Sequence, residues 1–524
     1  MIRPHPQRKE WFQIDPMTAQ VVANLPGIQW DGSSGLYRIH RSHLPLIDDP
    51  EARKLLEIKA TSSVWEARDA RTEPLGFKLR TTQQQAIDFI EPRRGALIGD
   101  DPRLGKTLSA LMAHDPRRGS FVVVAPLSTR AVWLGWMRRA FPEYADQIGV
   151  ITGRKFDADV IRKPFVFGHY DVIHRWQSLS ARIGTLVFDE AHQLVNREAR
   201  RAIAAGLLQM NAEKVIPMTG TPIWNLPPDL WAVLGLVAPG AWGSYYDFSN
   251  RYGAPVSTAH GMKYTGASNQ EELNARLSEV MIRRRWVDVA DDLPPITRSV
   301  IVAEITDAGR NKLDILAAKL RSEKTNTAGN LAAYRRQVTV FKEKTVFHEA
   351  SKITSRGEPV VVWTWHKDYA ERLHNMMNGQ FDKPVSFLIH GDISPAKRDE
   401  IMAAWKLHPN AVLIATMPVA QVGIDLSHAR VAIFAEIDYT PAILGQAEMR
   451  TFSPLRPMDI IFVVANHIVD QRIIRALVHK LSAANPLGVG AAVDAIDALR
   501  EAIMGPEEVG DMDRLMADFL ASAA

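Results

Sequence analysis

Short runs of Val, Ile, Leu and Phe recur along this chain, separated by stretches whose apolar residues fall at helical spacing. Ala96–Ile98, Phe121–Ala125, Phe165–Tyr170, Thr185–Phe188 and Val215–Met218 make a first series; Val360–Thr364, Val385–His390, Val412–Thr416, Val431–Ala435 and Ile460–Ala465 make a second. Apolar runs of this length, alternating with amphipathic segments, predict parallel strands covered by helices on both faces. The expected fold class is α/β, with two such domains in tandem over residues 76–295 and 351–484. Residues 296–350 are polar and helix-prone, with Lys319, Arg321, Lys324, Arg335, Arg336, Lys342 and Lys344, and predict a helical connection. Residues 1–75 differ in texture, with Trp11, Trp30 and Trp65, the turn-forming Asp31-Gly32-Ser33-Ser34-Gly35 and short candidate strands, and predict a small α+β module. Asn485-Pro486-Leu487-Gly488 breaks the pattern, and Val493, Ile496, Leu499 and Ile503 resume it in a helical tail over 485–524.

Charge changes this picture. The 524 residues carry 63 Lys+Arg and 59 Asp+Glu, a net +4. Residues 491–524 alone carry −6, which leaves +10 on the rest. A basic body suits a polyanionic partner, while the acidic tail suits packing, competition with nucleic acid or a basic protein whose identity the residues do not give. The chain has no cysteine, so disulfides, thiolate zinc sites, iron–sulfur clusters and cysteine nucleophiles are excluded. The uncharged stretch Leu230–Tyr246 contains Pro239, Gly235, Gly240 and Gly243, which predicts packed core and turn rather than a membrane span. The N-terminal residues lack the apolar run of a signal peptide, so a soluble cytoplasmic protein is expected.

Two segments carry chemistry. Leu97-Ile98-Gly99-Asp100-Asp101-Pro102-Arg103-Leu104-Gly105-Lys106-Thr107 places Gly-Lys-Thr between a strand and a helix that continues with Leu108. Amides of such a loop and the helix N-terminus cradle phosphates, Lys106 would neutralise the β/γ oxygens, and the Thr107 hydroxyl would hold Mg²⁺. The strict phosphate-loop pattern has Gly where Asp100 stands. Val187-Phe188-Asp189-Glu190-Ala191-His192 follows at the end of a later strand, where open α/β sheets place their ligands. There Asp189 would complete the Mg²⁺ shell and Glu190 would orient and deprotonate an attacking water.

The order of segments resembles the superfamily 2 nucleic-acid motors, and within them the Swi/Snf-like ATPases. Leu79-Arg80-Thr81-Thr82-Gln83 looks like the adenine-reading element, with Gln83 as the base-contacting amide and Arg80 beside it. Ala125-Pro126-Leu127-Ser128-Thr129 is similar to a DNA-backbone segment, which makes Ser128 and Thr129 candidate DNA contacts. Thr219-Gly220-Thr221-Pro222 resembles the segment coupling hydrolysis to lobe motion, and Met281-Ile282-Arg283-Arg284 the end of the first lobe. Taken alone, Arg283–Arg285 would be a solvated charged face. In the second half, Val360–His366, His390-Gly391-Asp392-Ile393-Ser394, Gly423-Ile424-Asp425-Leu426-Ser427 and Gln446-Ala447-Glu448-Met449-Arg450 continue the match.

The resemblance implies two tandem RecA-like lobes, with ATP and Mg²⁺ as cofactors and DNA as partner. It assigns Gln446 and Arg450 to catalysis, Arg450 reaching ATP from the second lobe. Arg80, Gln83, Asp100, Gly105, Lys106, Thr107, Leu108, Gly423, Asp425 and Arg450 would bind ATP, with Arg103 and Arg456 as further candidates. Lys367, Gly391 and Thr416 join the candidate DNA contacts. Phe434-Ala435-Glu436 ahead of Gln446-Ala447-Glu448 looks most like the annealing-helicase (HARP-type) branch, whose members remodel forked and branched DNA. Two positions depart from the pattern: Arg103 replaces a loop Gly, and Ser453 replaces a second arginine. The expected function is an ATP-dependent DNA translocase acting on duplex, forked or branched DNA. The alternatives are a degenerate ATPase serving as a DNA-binding scaffold, or an RNA-dependent ATPase.

Overall fold

The computed structural model describes residues 2–56, 72–151, 153, 158–176, 183–258, 261–289, 294–322, 327–379, 386–422, 424–438, 440–453, 455–467, 470–471, 473–475, 477 and 480. The tail over 485–524 and Gly423 therefore lie outside the described residues. The chain divides into two compact units between Asp291 and Asp292.

The first unit opens with β1 (Ile2–Pro4), β2 (Trp11–Ile14), β3 (Gln29–Asp31) and β4 (Leu36–His40), an antiparallel sheet in the order β1-β2-β4-β3. Its inner face packs Ile2, Phe12, Ile14 and Ile39 onto Val22, Leu44 and Ala52. The larger sheet comprises β5 (Leu97–Ile98), β6 (Ser120–Val124), β7 (Ile148–Ile151), β8 (Phe165–Gly168), β9 (Ile183–Asp189), β10 (Ala212–Met218) and, later in the chain, β13 (Met281–Ile282). Their order is β13-β5-β10-β9-β6-β8-β7, and every pairing is parallel. Between β10 and β13 lie helices Leu230–Val237, Tyr245–Tyr252 and Gln270–Leu277 and a hairpin of β11 (Pro255–Thr258) and β12 (Gly261–Tyr264). Leu230, Val233, Leu234 and Val237 are buried, and no described helix is long and apolar enough to cross a membrane.

The second unit is a six-stranded sheet of β14 (Ile296–Ala303), β15 (Val360–Thr364), β16 (Ser386–Ile389), β17 (Val412–Thr416), β18 (Val431–Phe434) and β19 (Met458–Ala465). The order is β14-β19-β18-β15-β17-β16, again with every pairing parallel. Here the structure corrects the reading of 296–350 as helical throughout. Residues 296–303 form an edge strand on β19, and helices begin only at Asp307. Thr297 and Ser299 face water, as on an edge strand, and Arg298 is held by an ion pair with the buried Glu448, so the three interrupt the apolar run in the sequence.

Candidate nucleotide site

From Ile98 the chain turns through residues 99–105 into the helix Lys106–Met112. Gly105 has φ 94°, a conformation that favours a residue without Cβ; a Cβ there would also stand 2.4 Å from the Gln83 amide nitrogen. Arg80 and Gln83 close over this turn. The Arg80 N–H donates to Gln83 Oε1 (2.9 Å) and its guanidinium donates to the Arg103 carbonyl (3.2 Å). Lys106 Nζ donates to the carbonyls of Asp100 (2.6 Å) and Asp101 (3.0 Å). Burial lowers the Lys106 pKa, against the opposing pull of Glu190, Asp100, Asp101 and Asp189. Leu108 is buried in the apolar core of the first unit, so its side chain packs rather than meets a nucleotide.

Asp189 ends β9, and three groups fix it. Its Oδ2 accepts from Trp133 Nε1 (2.8 Å), its Oδ1 from the Glu190 N–H (3.0 Å), and its carbonyl from the Tyr170 hydroxyl (2.6 Å). Burial, and then the neighbouring Glu190, push the Asp189 carboxyl up to about 6; the Trp133 bond and Lys106 oppose them. Glu190 itself turns the chain sharply with φ 51°. A side chain in that region costs about 1–3 kcal/mol, a strain characteristic of functional positions.

Among the described residues no three His, Asp or Glu side chains form a group that could hold a metal ion by themselves. Mg²⁺ needs no such cage, because it keeps waters and binds through one or two protein groups plus substrate phosphates. Thr107 in the first helical turn and the Asp189 carboxylate fit that demand, since a nearby cation would relieve the two crowded acids. Trp133→Phe removes a donor that favours ionised Asp189, so the pKa should rise. The acid limb of the turnover-against-pH profile is expected to move up by about one unit. A limb that stays in place while only thermal stability falls would give Trp133 a packing role alone.

A second line of contacts leaves Glu190. His192 Nδ1 lies 3.4 Å from Glu190 Oε2 and 3.3 Å from Thr219 Oγ1, and the Thr221 N–H donates to Thr219 Oγ1 (3.1 Å). The His192 ring stacks on Trp224, 4.6 Å between centroids. Thr219, Gly220 and Thr221 are thereby tied to the acid pair through His192.

Two expectations about the loop and its partners change. Asp100 does not present its carboxylate to a phosphate: it is 1% exposed and engaged by Arg284, whose backbone N–H and Nε donate to Oδ1 (3.0 and 3.1 Å) and whose Nη2 pairs with Oδ2. Arg283 pairs with Asp101 (2.8 Å) and donates to the Gly99 carbonyl. Arg283 and Arg284 are therefore largely buried loop anchors; only Arg285, paired with Asp288, keeps the solvated character. Trp286 adds two bonds, to Asp101 Oδ2 and the Pro102 carbonyl, both 3.0 Å. Paired acids at 100–101 and paired arginines at 283–284 are the sequence signal for this staple, and each pair was visible without its partner.

Ser128 is exposed, while the Thr129 hydroxyl donates to the Pro126 carbonyl (2.9 Å). In the second unit Glu436 joins two segments that looked separate in sequence: its Oε2 accepts from the N–H groups of Trp365 (2.7 Å) and His366 (2.9 Å), and its Oε1 lies 2.6 Å from His366 Nδ1. Burial raises the Glu436 carboxyl, but the bond and charge of His366 outweigh it and the net shift is downward. Lys367 follows, exposed, paired with Asp392 (2.6 Å) next to the exposed Gly391. Thr416 is only 4% exposed at the end of β17, so its side chain is not on the surface as a phosphate contact requires. Gln446 is buried, Arg450 Nε donates to the Ala420 carbonyl (2.7 Å), and Arg456 donates to the Ser427 carbonyl. The exposed Asp425 accepts from the Ser427 N–H (3.1 Å).

A phosphate-binding loop, a strand-end acid pair and two parallel α/β units define the class of RecA-like nucleotide-binding chains. Within it the chain belongs to the SNF2-related family: the SNF2-related domain matches residues 83–350, and the helicase conserved C-terminal domain matches residues 342–453. It is 27% identical over 435 residues to the SWI/SNF-related matrix-associated actin-dependent regulator of chromatin subfamily A-like protein 1 of Xenopus tropicalis, covering 80% of this chain and 46% of that one. It is 24% identical over 432 residues to the human DNA annealing helicase and endonuclease ZRANB3, covering 77% and 40%. The chain thus spans about half the length of these curated relatives or less. A solved Sulfolobus solfataricus SWI2/SNF2 ATPase core in complex with dsDNA aligns with TM-score 0.38 and 18% identity over 82% of this chain and 98% of that one.

Proposed function

We propose that this chain is a DNA-dependent ATPase that translocates on DNA and remodels forks and branches. The observation that carries it is the convergence of Lys106, Asp189 and Glu190, with the His192 link from Glu190 to Thr219. In this reading Gln83 and Arg80 hold the adenine side of ATP, and Lys106 and the loop amides hold its phosphates. Mg²⁺, held by Thr107 and Asp189, would neutralise charge on the β- and γ-phosphates. Glu190 accepts the proton of the attacking water, and Arg450 keeps the charge-stabilising role of the family pattern. The His192–Thr219 contact gives the acid pair a route to the coupling segment. The preference for branched DNA is supported by the annealing helicases among the relatives.

ATP turnover measured with blunt duplex, single-stranded, forked and four-way DNA, and with RNA, tests this. Turnover stimulated by DNA, most by forked or four-way DNA, is the expected result. A wild type that no DNA stimulates would sink the enzyme reading, and stimulation by RNA alone would transfer it to an RNA motor.

A further inference from the structure

Among the described residues the hairpin β11–β12 joins no larger sheet, and all four residues of β11 are exposed. A two-stranded hairpin is marginal by itself, and its base supplies the hold. Arg251 pairs with Glu272 (Nε to Oε1, 2.7 Å), the Ser268 hydroxyl donates to the Arg251 carbonyl (2.7 Å), the Ala254 N–H donates to Ser268 Oγ (3.1 Å), and the Tyr264 hydroxyl donates to Asn250 (3.1 Å). Above that base, Met262 is 53% exposed and shares a face with Tyr264, two residues on. Tyr264 stands edge-on to Tyr245, 6.2 Å between centroids, and the neighbouring Tyr246 is 62% exposed. Arg197 lies over Tyr245 and Tyr246, its guanidinium carbon 3.9 Å and 5.5 Å from the two centroids, and pairs at its outer edge with the exposed Glu198 (3.0 Å), a partner that a phosphate could replace. Met262 and Tyr246 bury too little of themselves for core packing to account for them.

We propose that Tyr246, Tyr264, Met262 and Arg197 form a stacking surface for unpaired DNA bases, of the kind exposed where a fork opens. Aromatic faces accept any base, and an arginine beside them adds attraction to both ring and backbone. The position supports the assignment: Arg197 lies seven residues beyond Glu190, on the segment that begins with the His192 link, so the surface is wired to the nucleotide site by a short stretch of chain. The proposal rests on the DNA-dependent reading above and adds to it a place where single strands are held.

The test uses the full chain and the exposed variants Tyr246→Ala and Met262→Ser, with Tyr246→Phe as the conservative control. Anisotropy of a dye-labelled fork with single-stranded arms is compared with that of a blunt duplex of equal length. Loss of base stacking is expected to weaken fork binding about tenfold in the combined variant. Blunt-duplex binding and duplex-stimulated turnover should change less than about twofold, and Tyr246→Phe should retain the fork preference. An unaltered fork preference, or equal loss on fork and duplex, overturns the proposal. So does a change confined to self-association in sedimentation, which would make this a protein-binding surface. A wild type that binds no DNA overturns the underlying reading, and the two failures are thereby told apart.

Discussion

Glu190→Gln is expected to lower DNA-stimulated ATP turnover by about 10²–10⁴-fold, the range a positioned general base contributes, while ATP binding persists. The replacement keeps the shape and removes the charge and the proton acceptor. It also acts on the neighbour. Glu190 is the second cause, after burial, that holds the Asp189 carboxyl near 6, so neutralising it should let that pKa fall. Because Glu190 raises that carboxyl, the variant should enter the acid range with less of its Asp189 protonated, and so better able to meet a cation, than the wild type. Affinity for Mg·ATP should therefore improve more at pH 6 than at pH 8, while turnover collapses at both. A fluorescent ATP analogue titrated at the two pH values, beside single-turnover hydrolysis, separates these effects. Turnover within about tenfold of wild type would remove Glu190 from the base role.

The second large effect concerns stability. Arg276 is 0% exposed and binds the N-terminal sheet to the helices between β10 and β13. Its NH1 donates to the Tyr252 hydroxyl (2.9 Å), and its NH2 donates to the carbonyls of Pro26 (3.2 Å) and Ala241 (2.7 Å) and lies 2.9 Å from His43 Nε2. The guanidinium also stacks on Trp242, 4.2 Å from the ring centroid. Its charge is answered through Tyr252, whose hydroxyl donates to Glu272 (2.6 Å). Arg276→Ala leaves two buried carbonyls without this donor and a hollow under Trp242. A loss of about 3–5 kcal/mol is expected, since several hydrogen bonds from a charged donor are lost together and buried acceptors are left without it. Thermal unfolding should shift down, and limited proteolysis should cut first within residues 2–47. A variant within about 1 kcal/mol of wild type would show that the sheet is held elsewhere. Burial, followed by Arg276, also depresses the pKa values of His40, to about 3, and of His43. The stability contributed by keeping them neutral is fully present above about 6.5 and is lost as pH falls through the depressed values.

What the sequence made legible follows from locality. Strands buried on both faces, such as β9 and β15, announce themselves as apolar runs; β7 and β13 are too short or too mixed, and β14 is half in water. Lys106, Asp189 and Glu190 were readable because each sits in a short local pattern, Lys106 at the start of a helix behind Gly105 and the two acids at the end of β9. Trp133 and Tyr170 gave no signal, since they reach Asp189 only after the sheet forms. Asp100 was read as a nucleotide contact because its partner, Arg284, is far away in the chain. Arg276 is one of several charged residues of the helix Gln270–Leu277, and nothing in its local sequence sets it apart. Only tertiary burial distinguishes it.

The docking of the N-terminal sheet has an experimental use as well. Gly27 passes so close to Ala241 that a Cβ on it would stand 1.9 Å from the Ala241 oxygen, and Arg41 adds an ion pair to Glu279 (2.5 Å). Seated this tightly, the sheet should turn as one piece with the nucleotide loop. The chain offers no competing thiol, so a single cysteine placed at the exposed Gln7 would carry a dye with little independent swing. Such a dye would act as an optical pointer, its polarisation following the heading of the first unit through each catalytic cycle.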